Sequence, residues 1–129
     1  MIIRPARPGD EAALHQLLLE NGLGHDGLDY TVWTHPCLVA VKDGVVVGFI
    51  QAALSAPVSI VTELAIARSH HRRGIGVRLA QHLETVLRVQ GVTAYVAHVA
   101  PENKDMQDQL ERFGLTRVGE MQVFLRRLT

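Results

Sequence analysis

The stretch VTELAIARSHHRRGIGVRLAQHLETVL, residues Val61–Leu87, decides how the rest of the chain is read. An apolar run rich in strand formers, Val61, Leu64, Ala65 and Ile66, comes first. A basic turn follows, with Arg68, His70, His71, Arg72 and Arg73, and Gly74-Ile75-Gly76 then opens a helical pattern. A strand that feeds a glycine-containing turn at the start of a helix is an anion site. The first helical N–H groups lack intrahelical acceptors and carry a partial positive charge. Glycine lets that backbone approach a phosphate with no Cβ between them.

Outward from this turn, periodicity predicts the remaining elements. Leu79, Ala80, Leu83, Val86 and Leu87 form the apolar stripe of a helix over Gly74–Gln90, stopped at Gly91. The strand before it, Ser59–Ile66, and strand-like Ala94–Ala100 after it make a β-α-β unit with parallel strands and a right-handed crossover. Upstream, Cys37–Val41 and Val45–Ala53 read as strands joined at Lys42-Asp43-Gly44, where Asp-Gly supplies the positive φ of a tight hairpin. Leu54–Pro57 turns the chain into Ser59–Ile66, which completes an antiparallel meander.

The N-terminal Ile2–Ala6 is a short strand, placed at an edge or strand end by Pro5. Asp10 is the expected N-cap of a first helix with Ala13, Leu14, Leu17 and Leu18 on one stripe, ended by Asn21-Gly22. Leu23–Pro36 is the irregular segment. After Pro101-Glu102-Asn103 a second amphipathic helix carries Met106, Leu110 and Phe113 on one face and ends at Gly114. Leu115–Val118 and Met121–Leu128 read as closing strands. The expected architecture is one domain over residues 1–129, an α/β (α+β) fold. It has a mixed, mainly antiparallel sheet, a central β-α-β unit and helices on both faces.

Composition narrows the function. The chain has 129 residues, 47% of them hydrophobic, which suffices for a buried core. Thirteen basic residues balance thirteen acidic ones, against the basic excess of a nucleic-acid binder. Cys37 is the only cysteine, so no internal disulfide is available, and with no signal-peptide pattern or membrane-spanning run a cytoplasmic protein is expected. Seven histidines lack zinc-type spacing, and no metal is expected. Gly74-Ile75-Gly76 is not a dinucleotide fingerprint, because Leu79 stands where the third glycine is needed. It is not a Walker A loop either, because no Gly-Lys-Ser/Thr follows.

With HHRRGIG after TELAI, and NKDMQDQLERFGL further on, the chain resembles the GCN5-related N-acetyltransferase (GNAT) superfamily over its whole length. Gly74 and Gly76 match the family's Gln/Arg-x-x-Gly-x-Gly/Ala turn, with His71 in place of Gln or Arg. Asn103 and Gly114 match its second motif, Asn-x-x-Ala-x-x-Leu-Tyr-x-x-x-Gly-Phe, with Met106 for Ala, Leu110 for Tyr and Leu115 for Phe. The resemblance implies an acetyl-CoA-dependent N-acetyltransferase acting on a primary amine of a small molecule or peptide by direct attack in a ternary complex. It implies that backbone groups of Leu64, Ala65 and Ile66 pair with the pantetheine. His71, Arg72, Arg73, Gly74, Ile75, Gly76 and Val77 would wrap the pyrophosphate, and Asn103 would bond the phosphate arm.

Glu63, just before the pantetheine-binding run, is the expected general base, as in similar proteins, and a backbone N–H of Leu64 or Ala65 the oxyanion donor. Leu110 removes the family's usual acid, leaving His98, Tyr95 or water, and strand alternation allows only one of Tyr95 and His98 to face the site. Tyr30, Trp33 and His98 are the acceptor-side candidates. The alternation of Val123 and Leu125 with Arg126 and Arg127 permits a homodimer through the late strands. The rival reading is a non-catalytic acyl-CoA-binding or regulatory module.

Overall fold

A computed structural model describes residues 1–22, 36–99, 102–119 and 126. In chain order the elements are β1 (Ile2–Pro5), a 3-10 turn (Pro8–Asp10), α1 (Glu11–Glu20), β2 (Cys37–Lys42), β3 (Val45–Ala53), β4 (Val58–Ile66), a second 3-10 turn (Arg68–His70), α2 (Ile75–Val89), β5 (Ala94–Ala97) and α3 (Lys104–Phe113). The chain divides into two compact units, Met1–His98 and Val99–Thr129.

The first unit is built on a five-stranded sheet in the order β1-β2-β3-β4-β5. Pairing is antiparallel from β1 to β4 and parallel between β4 and β5, as a β-α-β connection through α2 requires. Asp43 and Gly44, at φ of 52° and 78°, close the two-residue hairpin between Lys42 and Val45. Pro5 lies on the edge strand, where its missing N–H costs no ladder bond.

Helices cover both faces. On one, Leu14, Leu17 and Leu18 of α1 pack with Cys37, Val39, Phe49 and Ala65. On the other, Ile75, Leu79, Leu83 and Leu87 of α2 pack with Leu38, Ala40, Val47, Ile50 and Ala52. The central strands are therefore apolar at successive positions, because each face meets a helix.

Two local expectations change. Asp10 stands at the N-cap position of α1 but caps no α1 amide. Its carboxylate instead accepts Arg4 Nη1 at 2.7 Å, Arg4 Nη2 at 2.9 Å and the Arg7 N–H at 2.9 Å. The bidentate guanidinium holds this buried carboxyl below its usual range, and a charged partner outcompetes a helix amide for its oxygens. Leu115–Val118 forms no strand, since no described segment pairs with it; Met121–Leu125 and Arg127–Leu128 lie outside the described residues.

In the second unit Asn103 Oδ1 accepts the Met106 N–H at 3.2 Å and caps α3. Gly114, at φ 107°, ends the helix, and the Leu115 N–H returns to the Leu110 carbonyl at 2.9 Å.

Candidate active site

The site begins where β4 loses its second neighbour. Parallel pairing to β5 runs from Val58 opposite Ala94 to Val61 opposite Ala97 and goes no further. On the β3 side pairing continues to Ile66 opposite Gly48, with a register shift after Gln51. Gln51 faces Glu63 while Ala52 faces Val61, so Thr62 is an extra residue, a β-bulge. The Thr62 hydroxyl donates to the Gln51 carbonyl at 3.2 Å, which fixes the bulge across the strand pair. Beyond it, residues 62–66 present an edge with no strand beside it among the described residues.

Antiparallel alternation says which backbone groups that edge offers. The Ala67 N–H donates to the Val47 carbonyl at 2.8 Å, so Ala65 and Glu63 turn their backbone groups toward β3. Leu64 and Ile66 turn theirs away. The Ile66 carbonyl confirms the direction, because it accepts Asn21 Nδ2 at 2.9 Å and His71 Nε2 at 2.8 Å, neither of which belongs to β3. The open edge therefore offers the Leu64 N–H and carbonyl and the Ile66 N–H.

The turn follows directly. Arg72 adopts a left-handed φ of 62° and Gly74 one of 76°. Gly74 is the N-cap of α2, which has no side-chain cap, and the first helical bond is the Arg78 N–H to the Gly74 carbonyl at 3.1 Å. The Ile75, Gly76 and Val77 amides precede that bond and have no intrahelical acceptor. A Cβ built on Gly74 or Gly76 would meet nothing within 4 Å, so the space above these amides is open. Arg72 and Arg73 are exposed beside it, and neither has a carboxylate partner among the described residues. Unpaired amides, a helix N-terminus, open space and two uncompensated guanidiniums fit a multiply charged phosphate.

Glu63 is on the α1 face of the sheet, as its register opposite Gln51 and two residues before Ala65 requires. It is half-buried, and burial pushes its carboxyl above the usual glutamate range. Tyr95 points to the other face. It packs against the α2 cluster, and its hydroxyl donates to Glu84 Oε2 at 2.7 Å. Burial and that carboxylate raise the phenol's pKa, so Tyr95 ties β5 to α2 and is ill suited to give up a proton. His98 is exposed, one residue beyond the Ala97 pairing that ends at the mouth of the opening. Cys37 is buried in the α1-side core, and burial pushes its thiol up to about 12, which makes it inert. Asn103 belongs to the second unit, where its Oδ1 is the α3 cap. Tyr30 and Trp33 lie outside the described residues.

Sequence reading missed Thr62, Gln51, Glu20 and Asn21. Glu20 Oε1 accepts the Arg68 N–H at 2.7 Å, and Asn21 Nδ2 reaches the Ile66 carbonyl. Asn21-Gly22 reads locally as a helix stop, and nothing near it in sequence signals a bond to a residue 45 positions away.

The acetyltransferase (GNAT) family profile matches residues 9–115. The chain belongs to the acetyltransferase (GNAT) family. It is by that membership an acyltransferase, and the mixed sheet is the family's fold. Aminoglycoside N-acetyltransferase AAC(6')-Iy in complex with CoA is 19% identical, with a TM-score of 0.82 and coverage of 98% of this chain and 99% of that one. The aminoglycoside 6'-N-acetyltransferase AAC(6')-Ih from Acinetobacter baumannii is 15% identical, with a TM-score of 0.79 over 99% of each chain. A ribosomal-protein-alanine N-acetyltransferase from Brucella melitensis biovar Abortus 2308 is 17% identical, with a TM-score of 0.78 over 98% of this chain and 100% of that one. No curated protein matches the chain. Among the described residues no helix is long and apolar enough to cross a membrane.

Proposed function

We propose that the protein is an acetyl-CoA-dependent N-acetyltransferase whose acceptor is a primary amine on a small molecule or peptide, acetylated by direct attack in a ternary complex. The observation that carries this reading is the β4 edge, unpaired among the described residues, leading straight into three amides with no intrahelical acceptor at the start of α2. An extended chain of amides ending in a pyrophosphate, which is what acetyl-CoA presents, is complementary to that sequence of groups. Residues 1–129 act as one domain in this reading, supported by a family match that runs unbroken from residue 9 to residue 115.

The Leu64 carbonyl and the Ile66 N–H would pair with the pantetheine amides, while Ile75, Gly76 and Val77 amides, with Arg72 and Arg73, would hold the pyrophosphate. Glu63, with its raised pKa, takes a proton through water from the ammonium of the acceptor, leaving a neutral amine to attack the thioester carbon. The Leu64 N–H, turned to the open edge, is the backbone donor aimed at the developing oxyanion. Collapse of the tetrahedral species breaks the C–S bond. The leaving thiol has an ordinary pKa of about 8.5, so it departs as a thiolate near neutral pH, and the proton left on the attacking nitrogen passes through water to the thiolate, giving the neutral amide and the CoA thiol. Tyr95 is bonded to Glu84 and Leu110 stands at the family's tyrosine position, so His98 or water is left for that step.

Those same two facts favour a second reading, an acyl-CoA-binding module without transfer. Both readings require acetyl-CoA to raise the thermal midpoint of the protein, and an unchanged midpoint removes both. A panel of primary amines, amino-terminal peptides and aminoglycosides assayed for release of the CoA thiol then separates them. Turnover with any acceptor supports the enzyme, and tight binding with no turnover across the panel supports the module.

A further inference from the structure

The corner between β4 and the basic turn is held by side chains that touch no reacting atom. The Ile66 carbonyl points to the open edge, where a ligand amide would otherwise find an acceptor. Its two lone pairs meet two donors, Asn21 Nδ2 at 2.9 Å and His71 Nε2 at 2.8 Å. A carbonyl only accepts, so the His71 ring carries a proton on Nε2. Asn21 Nδ2 also donates to the Leu17 carbonyl at 2.8 Å, and with two acceptors facing it only the NH₂ end of the amide can be on that side. One amide thus closes the C-terminus of α1 and anchors the end of β4. Glu20, the last residue of α1, adds a second link by accepting the Arg68 N–H at 2.7 Å.

We propose that Asn21 and His71 are positioning residues for the acyl-CoA turn: by saturating the Ile66 carbonyl they fix the point from which the turn starts, so that the Ile75, Gly76 and Val77 amides stand pre-aimed at the pyrophosphate. This rests on the acetyl-CoA reading above. His71 closes a loop of five residues back onto Ile66, enclosing the Arg68–His70 3-10 turn. The left-handed Arg72 and Gly74 come immediately after the closure, and the α2 amides follow with no side-chain cap to hold them otherwise. Pre-ordering of those donors lowers the entropy lost on binding. The two donors have a second consequence. With its carbonyl occupied, Ile66 contributes only its N–H to the ligand, so the register of the pantetheine is set by Leu64.

The test is calorimetric titration of acetyl-CoA into wild type, His71→Ala, His71→Gln and Asn21→Ala, with the thermal midpoint of each ligand-free protein measured alongside. His71 is exposed, so its removal should leave the ligand-free midpoint near wild type. His71→Ala is expected to weaken binding roughly fivefold to tenfold, the worth of one lost hydrogen bond at an ordered site. His71→Gln, whose amide can donate to the same carbonyl, is expected to recover most of that loss. Asn21→Ala weakens binding as well, together with a lower midpoint from the unclosed end of α1. Wild-type affinity in His71→Ala overturns the proposal, as does a loss that Gln does not rescue. Absence of binding by wild type overturns the acetyl-CoA reading and the proposal with it.

Discussion

The two halves of β4 share one strand and end in opposite situations. Val58–Val61 is paired to β5 throughout and, at Ile60 and Val61, to β3 as well, and its Ser59 is fully buried. Among the described residues Thr62–Ile66 keeps only its β3 partner. The first half is scaffold, and its β5-facing edge is taken up by the ladder. The second half keeps the Leu64 N–H and carbonyl and the Ile66 N–H available, at the cost of an edge that water or a ligand must satisfy. The Thr62 bulge marks the boundary. In the proposed reading a binding surface is made from a strand simply by ending one ladder early.

The largest effect that would break this comparison comes from the end of the open half. Gly76→Asp places a carboxylate beside the free amides, where it caps them internally and repels phosphate. The added Cβ meets nothing within 4 Å, so the fold is expected to survive while the acetyl-CoA-induced rise in thermal midpoint disappears. A retained rise would show that the turn is not where the phosphate binds.

Next is Glu63→Gln. It should cut turnover about a hundredfold or more and remove the acid limb of the pH–rate profile, which in wild type should sit above the ordinary glutamate range because burial raises this carboxyl. An unchanged rate and profile would take the base assignment away. Stability moves the other way. A carboxyl with a raised folded-state pKa favours folding in its protonated form, at acid pH, and loses that contribution as pH rises through the folded value. The Gln variant, which never charges, should therefore gain midpoint over wild type at pH 8 relative to pH 4.

Gly48→Ala sharpens the comparison from the partner strand. Gly48 lies opposite Ile66, and its new Cβ would come 2.8 Å from Ile66 Cδ1 and 3.4 Å from the Ala65 carbonyl. The Ile66 methyl can rotate away, so a loss of roughly 1 kcal/mol of stability and a few-fold weaker acetyl-CoA binding are expected by denaturant melts and calorimetry. The smallest effect belongs to the closed half. Tyr95→Phe removes the bond to Glu84 and should cost about 1 kcal/mol of stability with no change in acetyl-CoA affinity. An affinity loss there as large as that of Gly48→Ala would erase the distinction between the halves.

Legibility in the sequence followed the range of each signal. The Asp43-Gly44 hairpin, the opening of α2 at Gly74-Ile75-Gly76 and the Gly114 stop were all readable, because each depends on residues within one turn of chain, whereas Asn103, read as a ligand group, caps α3. The apolar stripe Leu79, Leu83 and Leu87 was readable from helical period, and the structure adds Ile75 to it. Asp10 was misread because a cap motif says nothing about a competing Arg4 on the neighbouring strand. Tyr95 could be narrowed to one face by alternation, yet only packing showed that the face belongs to α2 and that Glu84 holds the hydroxyl.

By itself, then, the amino-acid sequence determined the order of elements, the strand–turn–helix unit with its basic glycine turn, and the family. These follow from φ preferences, caps and periodicity, which are local and written in adjacent residues. Tertiary structure alone decided where the β4–β5 ladder stops, which of Leu64, Ala65 and Ile66 turns its backbone outward, and that Asn21 and His71 occupy the Ile66 carbonyl. Those features depend on a one-residue register shift at Thr62 and on contacts between segments far apart in the chain. A shift of one residue reverses every backbone group that follows it, and no local pattern around Thr62 specifies it.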